Sequence, residues 1–134
     1  MKKITLKQAV AFHGHLGPYL VLGLLMGEYA LAKLNAKRHF GMTAKAIGAN
    51  KRPKSCLIDG LQLSCGCTYG KGNINKYNGR DIKVIFTNKK TEKSISMTLK
   101  DNLINELKSA NTHPLAEKLA KSIYYKKPEN LFNF

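Results

Sequence analysis

One long amphipathic segment, from Tyr19 to Lys37, constrains the fold of this chain more than any other feature. Its apolar residues recur at helical spacing and form a broad face that contains Leu20, Val21, Leu24, Leu25, Leu31 and Leu34. Pro18 suits the first turn, because the amide proton that proline lacks is not needed there. Gly23 and Gly27 lie four residues apart, although each glycine costs a helix about 1 kcal/mol relative to alanine. The pair predicts that another backbone packs closely against this helix.

The other segments alternate between helical and strand patterns. Further helices are predicted over Thr5–Phe12, Cys56–Ser64, from Asp101 onwards and over His113–Tyr124. Ser55 and Asp101 are expected to cap their helices. The last helix begins with Thr112 and Pro114 and is expected to bury Leu115, Leu119 and Ile123. Strands are predicted over Met42–Ala49, near Ile74, over Asp81–Thr87 and through Ile95, Met97 and Leu99, with Asn78-Gly79 as a β-hairpin turn. We therefore expect one α+β domain over residues 1–134, with a small mixed β-sheet packed against helices.

Composition and charge exclude several classes of protein. Apolar residues make up 43% of the chain, which is enough for a core, and no apolar stretch reaches the roughly 20 residues of a membrane span. We expect a soluble, cytoplasmic protein. The net charge of +15 comes from basic residues spread along the chain, a pattern more typical of a solvated surface than of a nucleic-acid interface. A basic nucleic-acid-binding module remains the third alternative.

All three cysteines, Cys56, Cys65 and Cys67, fall within 12 residues. An odd count without an export signal argues against a disulfide framework. Clustered thiols are typical of a metal site or a redox centre, although cysteine also fills core positions as a small hydrophobe. The pair His13 and His15 adds imidazoles, which together with thiolates suit zinc, nickel, copper or iron. Either histidine could instead form a helix cap or a hydrogen bond in the core.

Cys56 begins a predicted helix, whose N-terminus would lower the pKa of its thiol. Asp59 falls on the same helix face, where it could orient a histidine ligand, move a proton or simply stabilise the helix start. Its carboxylate would oppose the helix by raising the thiol pKa unless a cation or metal intervenes. The loop from Gly66 to Gly72 is too rich in glycine for regular structure. It could present backbone amides and Lys71 to an anion, or it could be a tight connection.

Three segments, Phe12–Pro18, Cys56–Gln62 and Gly66–Asn73, resemble ordered motifs of the FmdE family, which is named after formylmethanofuran dehydrogenase. The resemblance implies an α+β core domain that forms a homodimer. It also implies a metal site in a cleft, with His13, His15, Cys56 and Cys67 as ligands and Asp59 and Lys71 alongside. Gly17 stands where the family usually has cysteine, and Cys65 is extra to the pattern and could replace it. We expect no C-terminal zinc-finger extension of the kind that longer members of the family carry.

The leading hypothesis is a cytoplasmic FmdE-like protein that binds a transition metal, with zinc as the first candidate and nickel or iron as the others. Its expected role is accessory, metal-handling or thiol-redox, linked to formylmethanofuran dehydrogenase-type one-carbon or anaerobic metabolism and to a molybdenum or tungsten enzyme complex. The alternative is a cysteine-dependent enzyme acting on a small anionic substrate, with Cys56 or Cys67 as nucleophile and His15 as base. Cys56, Asp59 and Lys71 are the catalytic candidates.

Overall fold

The computed structural model describes residues 3–134. Within them lie the helices α1 (Leu6–His13), α2 (Pro18–Lys33), α3 (Cys56–Cys65), α4 (Asp101–Ser109), α5 (His113–Tyr124) and α6 (Pro128–Leu131), and the strands β1 (Met42–Ile47), β2 (Ile74–Tyr77), β3 (Lys83–Asn88), β4 (Ser94–Leu99) and β5 (Phe132–Asn133). The strands form a five-stranded mixed sheet, and the expected α+β class is confirmed. Among the described helices, none combines the length and the apolar character that crossing a bilayer requires.

The sheet has the order β2-β1-β3-β4-β5, in which β2 runs parallel to β1 and the remaining pairs are antiparallel. The predicted hairpin at Asn78-Gly79 is therefore wrong, because β1 lies between the two strands that this turn was expected to pair. The connection instead crosses the end of β1. Gly79 is close enough to that end that a Cβ atom on it would lie 2.6 Å from Ile47 Cγ2. Two strands separated by a third need this longer crossing rather than a tight turn.

The predicted close approach of a second backbone to α2 is confirmed, and the partner is α3. A Cβ atom on Gly23 would lie 2.8 Å from the amide nitrogen of Leu61 and 2.9 Å from Gly60 Cα, distances that real Cβ atoms do not adopt. Ser64 Oγ donates a hydrogen bond to the carbonyl of Gly23, at 3.0 Å, and so ties the two helices together. This contact fixes the position of α3, which carries Cys56 and Asp59.

Several local expectations differ from the structure. Ser55 has helical dihedrals (φ −66°, ψ −15°) and accepts no capping bond, because the preceding turn already satisfies the first amides of α3 through the carbonyls of Pro53 and Lys54. Asp101 is the first residue of α4 rather than its cap. Thr112 lies at the start of α5 as predicted, and its side chain caps the helix by accepting a hydrogen bond from the amide of Leu115. The Leu115 side chain is 47% exposed rather than buried. The glycine loop also contains one 3₁₀ turn, Tyr69–Lys71.

Candidate functional site

The ring of His13 is held by Asp59. Helix α1 ends at His13 because Gly14 adopts a left-handed φ of 106°, and Asp59 lies in the first turn of α3. His13 Nδ1 lies 2.6 Å from Asp59 Oδ2, and the histidine side chain is only 9% exposed. Since a carboxylate accepts, Nδ1 donates, and Nε2 is left buried without a hydrogen-bond partner. A histidine oriented by a carboxylate, with its other nitrogen free, is the arrangement found in metal-ligating histidines.

His15 stands beside His13, with their ring centroids 4.7 Å apart. Burial lowers the pKa of His15, and the neighbouring His13 and His113 lower it further. The neutral form that binds metals is therefore favoured. His113, whose ring centroid lies 6.0 Å from that of His15, was not predicted as a site residue. A single histidine at a helix start carries no signal in the sequence that distinguishes it from an ordinary surface residue.

A pocket of about 360 Å³ opens next to these rings. His15 and Cys56 line it together with His113, and the start of α2 and the end of α4 complete its walls. Cys56 is half-buried. Burial raises the pKa of its thiol, the Asp59 carboxylate raises it further, and Arg52 and a backbone hydrogen bond lower it only in part. The expectation that the helix N-terminus makes this thiol ionise readily is therefore wrong, because desolvation outweighs the helix.

Cys65 and Cys67 lie elsewhere and form a buried thiol pair. Cys65 ends α3, and the rise of 1.5 Å per residue places it roughly 14 Å along the helix from Cys56. Cys65 Sγ donates to the carbonyl of Leu61 at 3.0 Å, and Cys67 Sγ donates to that of Met42 at 3.2 Å. The neighbouring Cys65 and burial both raise the pKa of Cys67. Within one chain, α3 thus separates the thiol pair from Cys56.

The glycine loop is a tight connection in which backbone amides are already used. The amide of Tyr69 donates to Gln62 Oε1 at 2.9 Å, and the amide of Gly72 donates to the carbonyls of Thr68 and Tyr69. Lys71 Nζ is 2.9 Å from Thr68 Oγ1 and lies over the Phe40 ring, 5.3 Å from its centroid. These bonds leave little of the loop for an anion, and Lys71 lies on the side of the thiol pair.

The predicted site residues therefore divide into two sets. The first, called here the pocket group, comprises His15 and Cys56, which line the pocket, and the hydrogen-bonded pair of His13 and Asp59, whose imidazole lies beside that of His15. The second contains the thiol pair, with Lys71 nearby. In residues 3–134, no three side chains of histidine, cysteine, aspartate or glutamate are gathered closely enough to hold an ion as they stand. The ligand and catalytic roles of both sets stay predictions.

Comparison with known proteins places this geometry in context. The family model described as "FmdE, Molybdenum formylmethanofuran dehydrogenase operon" matches residues 12–133, which include the pocket group and the thiol pair. A curated protein of Archaeoglobus fulgidus named "Probable S-adenosyl-L-methionine-binding protein" is 34% identical over 70 residues. The match covers 52% of this chain and 19% of that protein, so the chain spans about a fifth of that relative.

Proposed function

The chain belongs to the FmdE family, and from that premise we propose that it binds one transition-metal ion through the pocket group. We further propose that it serves formylmethanofuran dehydrogenase-type one-carbon metabolism in an accessory, metal-handling or thiol-redox role. The observation that carries the proposal is the buried, unpartnered Nε2 of His13, which Asp59 holds in one orientation. A buried nitrogen without a partner costs free energy unless a ligand or proton donor reaches it.

Three donors of the pocket group would hold the ion after their side chains rotate towards one another, because they are not gathered closely enough in the structure as it stands. His13 would bind through Nε2, His15 is favoured as the neutral imidazole, and Cys56 faces the same pocket as His15. A mixed set of nitrogen and sulfur donors suits zinc first and nickel or iron next. Such an ion would act as a Lewis acid and would keep Cys56 deprotonated. We leave Cys67 out of this set because α3 lies between it and Cys56.

The chain's own residues give the pocket its further chemistry. Asp59 orients His13 and accepts a hydrogen bond from its Nδ1–H, so that only Nε2 is available to bind the ion. With three protein donors, such an ion would leave a fourth coordination position available to a small molecule in the pocket of about 360 Å³. His113 faces that pocket from α5 and can exchange a proton with a small molecule bound there.

The second candidate is a cysteine-dependent enzyme. Cys56 and His15 line one pocket, as a nucleophile and its base require. The raised pKa of the Cys56 thiol disfavours a free thiolate and therefore argues against Cys56 as an unaided nucleophile. S-adenosyl-L-methionine is a ligand to test in the same pocket, because the Archaeoglobus relative is named for binding it.

The proposal also concerns the partners, the oligomeric state and the cellular location of the protein. Family membership is compatible with association with a molybdenum or tungsten enzyme complex. The resemblance implies a homodimer, and we propose that it acts in the cytoplasm. Light scattering of the purified protein tests the dimer. Co-purification of the tagged dehydrogenase with this chain tests the association, and a variant that lacks Cys56 shows whether the site contributes to it.

Elemental analysis of anaerobically purified, tag-free protein tests the metal site. We expect about one zinc, nickel or iron per chain in the wild type and in Cys67→Ser, and loss of the metal in Cys56→Ser. Loss in both variants would restore Cys67 to the ligand set. A protein without metal that takes up none on titration would overturn the proposal and leave thiol catalysis first. Thermal melts of each variant show whether a lost metal reflects a lost ligand or a lost fold.

A further inference from the structure

A second cavity of about 420 Å³, called here the basic cleft, lies between the turn at residues 50–54 and the connection between β2 and β3. Lys51, Arg52 and Lys54 line one wall, and Arg80 lines the other. No carboxylate is among the residues that line it. The function proposed above does not use these four cations.

The backbone holds the two walls together. Gly48, at φ +77°, donates its amide to the carbonyl of Tyr77 at 3.0 Å and packs against the backbone of Asp81. The side chain of Asn50 donates to that of Asn78 and so joins the turn to the opposite wall. The cations therefore face one another because the connection between β2 and β3 crosses the end of β1 and so meets the turn at residues 50–54.

Charge is unbalanced in this cleft. Asp81, which is not among the lining residues, lies 3.2 Å from Arg80, and the two side chains are 66% and 92% exposed respectively. Neighbouring like charges repel, and an anion between them removes that repulsion. The turn at residues 50–54 therefore carries a local cluster of positive charge, whereas the lysines elsewhere are spread along the chain.

Asn50 gives an independent indication of a ligand. Its side-chain Oδ1 is buried and has no hydrogen-bond partner, although the other end of the amide bonds Asn78. Oxygen and nitrogen can be exchanged in the side-chain amides of both Asn50 and Asn78 without losing the hydrogen bond between them. The unpartnered atom of Asn50 is then the amide nitrogen, a donor of the kind that an oxyanion needs. In either orientation, one polar atom in the cleft wall lacks a partner.

The basic cleft adjoins the pocket of His15 and Cys56, since Pro53 lines both cavities. We propose that the basic cleft binds the oxyanion end of a small molecule, a phosphate ester or clustered carboxylates, whose remainder extends over Pro53 into that pocket. The extension into the pocket rests on the function proposed above. Anion binding in the cleft does not.

Isothermal titration of the purified full chain with inorganic pyrophosphate and with citrate, each at constant ionic strength, tests the proposal. The cleft variant is Lys51→Ala with Lys54→Ala, and Arg80→Gln probes the opposite wall separately. Lys90→Ala with Lys93→Ala is the matched control, because it removes the same charge from exposed positions at the opposite end of β3. We expect the wild type to bind at least one anion saturably. Both cleft variants should bind it about tenfold or more weakly, because each loses a charge-assisted hydrogen bond. The affinity of the control should be unchanged.

The remaining outcomes are decisive. Pyrophosphate binding identifies a phosphate ligand, citrate binding identifies a carboxylate ligand, and either supports the site. Equal weakening in the control, no saturation with either anion, or binding of a single-stranded oligonucleotide alone overturns it. Metal content is measured in every variant. Unchanged metal with lost anion binding separates this site from the metal site, whereas metal-free wild-type protein that still binds pyrophosphate leaves the cleft standing without the proposed metal function.

Discussion

Asp59 holds His13 through a contact of 2.6 Å between Oδ2 and Nδ1, across 46 residues of sequence. The contact joins the end of α1 to the first turn of α3 and gives the imidazole one orientation. It also explains why an acid lies so close to Cys56, where it raises the pKa of a thiol that a ligand would need ionised. Asp59 therefore orients His13 rather than promoting ionisation of Cys56.

Asp59→Asn is expected to weaken zinc binding about 10- to 100-fold, because an amide orients the histidine less firmly and no longer strengthens its basicity. Competition with a chromophoric chelator measures the affinity. Asp81→Asn removes the same charge from an exposed residue that contacts Arg80 and is the control. Equal affinities for the two variants would contradict a positioning role for Asp59.

Alkylation of Cys56 in metal-free protein is expected to depend on both of its charged neighbours, with opposite signs. Asp59 raises the pKa of the thiol and Arg52 lowers it, so Asp59→Asn shifts the alkylation midpoint to lower pH and Arg52→Gln shifts it to higher pH. Mass spectrometry after iodoacetamide treatment identifies the labelled thiol. Cys65 and Cys67 are fully buried and are expected to react only on unfolding. Shifts in the same direction would rule out this electrostatic explanation.

His15 is expected to make the metal-free protein less stable in mild acid. Its pKa in the folded state is lowered below the ordinary value of 6.5, so the unfolded chain binds a proton that the folded chain does not. The free energy of unfolding therefore keeps its full His15 contribution above pH 6.5 and loses it as pH falls below that value. Urea midpoints at about pH 5.5 and about pH 7.5 measure the difference, which His15→Gln should reduce. An unchanged difference in the variant would assign the effect to other groups.

Gly23→Ala is expected to destabilise the fold by about 1–3 kcal/mol or more, because the added methyl group meets the backbone of α3. Gly70→Ala is the matched control, since a Cβ atom there has no neighbour within 4 Å. Its exposed turn should tolerate alanine, with a change of about 1 kcal/mol at most. Urea unfolding of both variants gives the comparison, and equal losses would show that helix contact is not the cause.

Most helices could be predicted because their signals are local. The glycines of α2 indicated a close backbone partner, and Thr112 marked the start of α5. The pairing of β2 was missed, since Asn78-Gly79 carries the same local signal whether its flanking strands pair or are separated by another strand. Leu115 was misplaced because helical spacing defines a face but does not say how much of it is covered.

For the candidate site, the sequence by itself determined which residue types are present and that Cys56 and Asp59 share a helix turn. The tertiary structure decided which of them meet. Packing of α1 against α3 brings His13 to Asp59, and the length of α3 carries Cys65 and Cys67 away from Cys56. His113 reaches the pocket from a helix that begins 57 residues after Cys56. The physical reason is that helical spacing fixes neighbours only within a few residues, whereas contacts between distant segments depend on how whole elements pack.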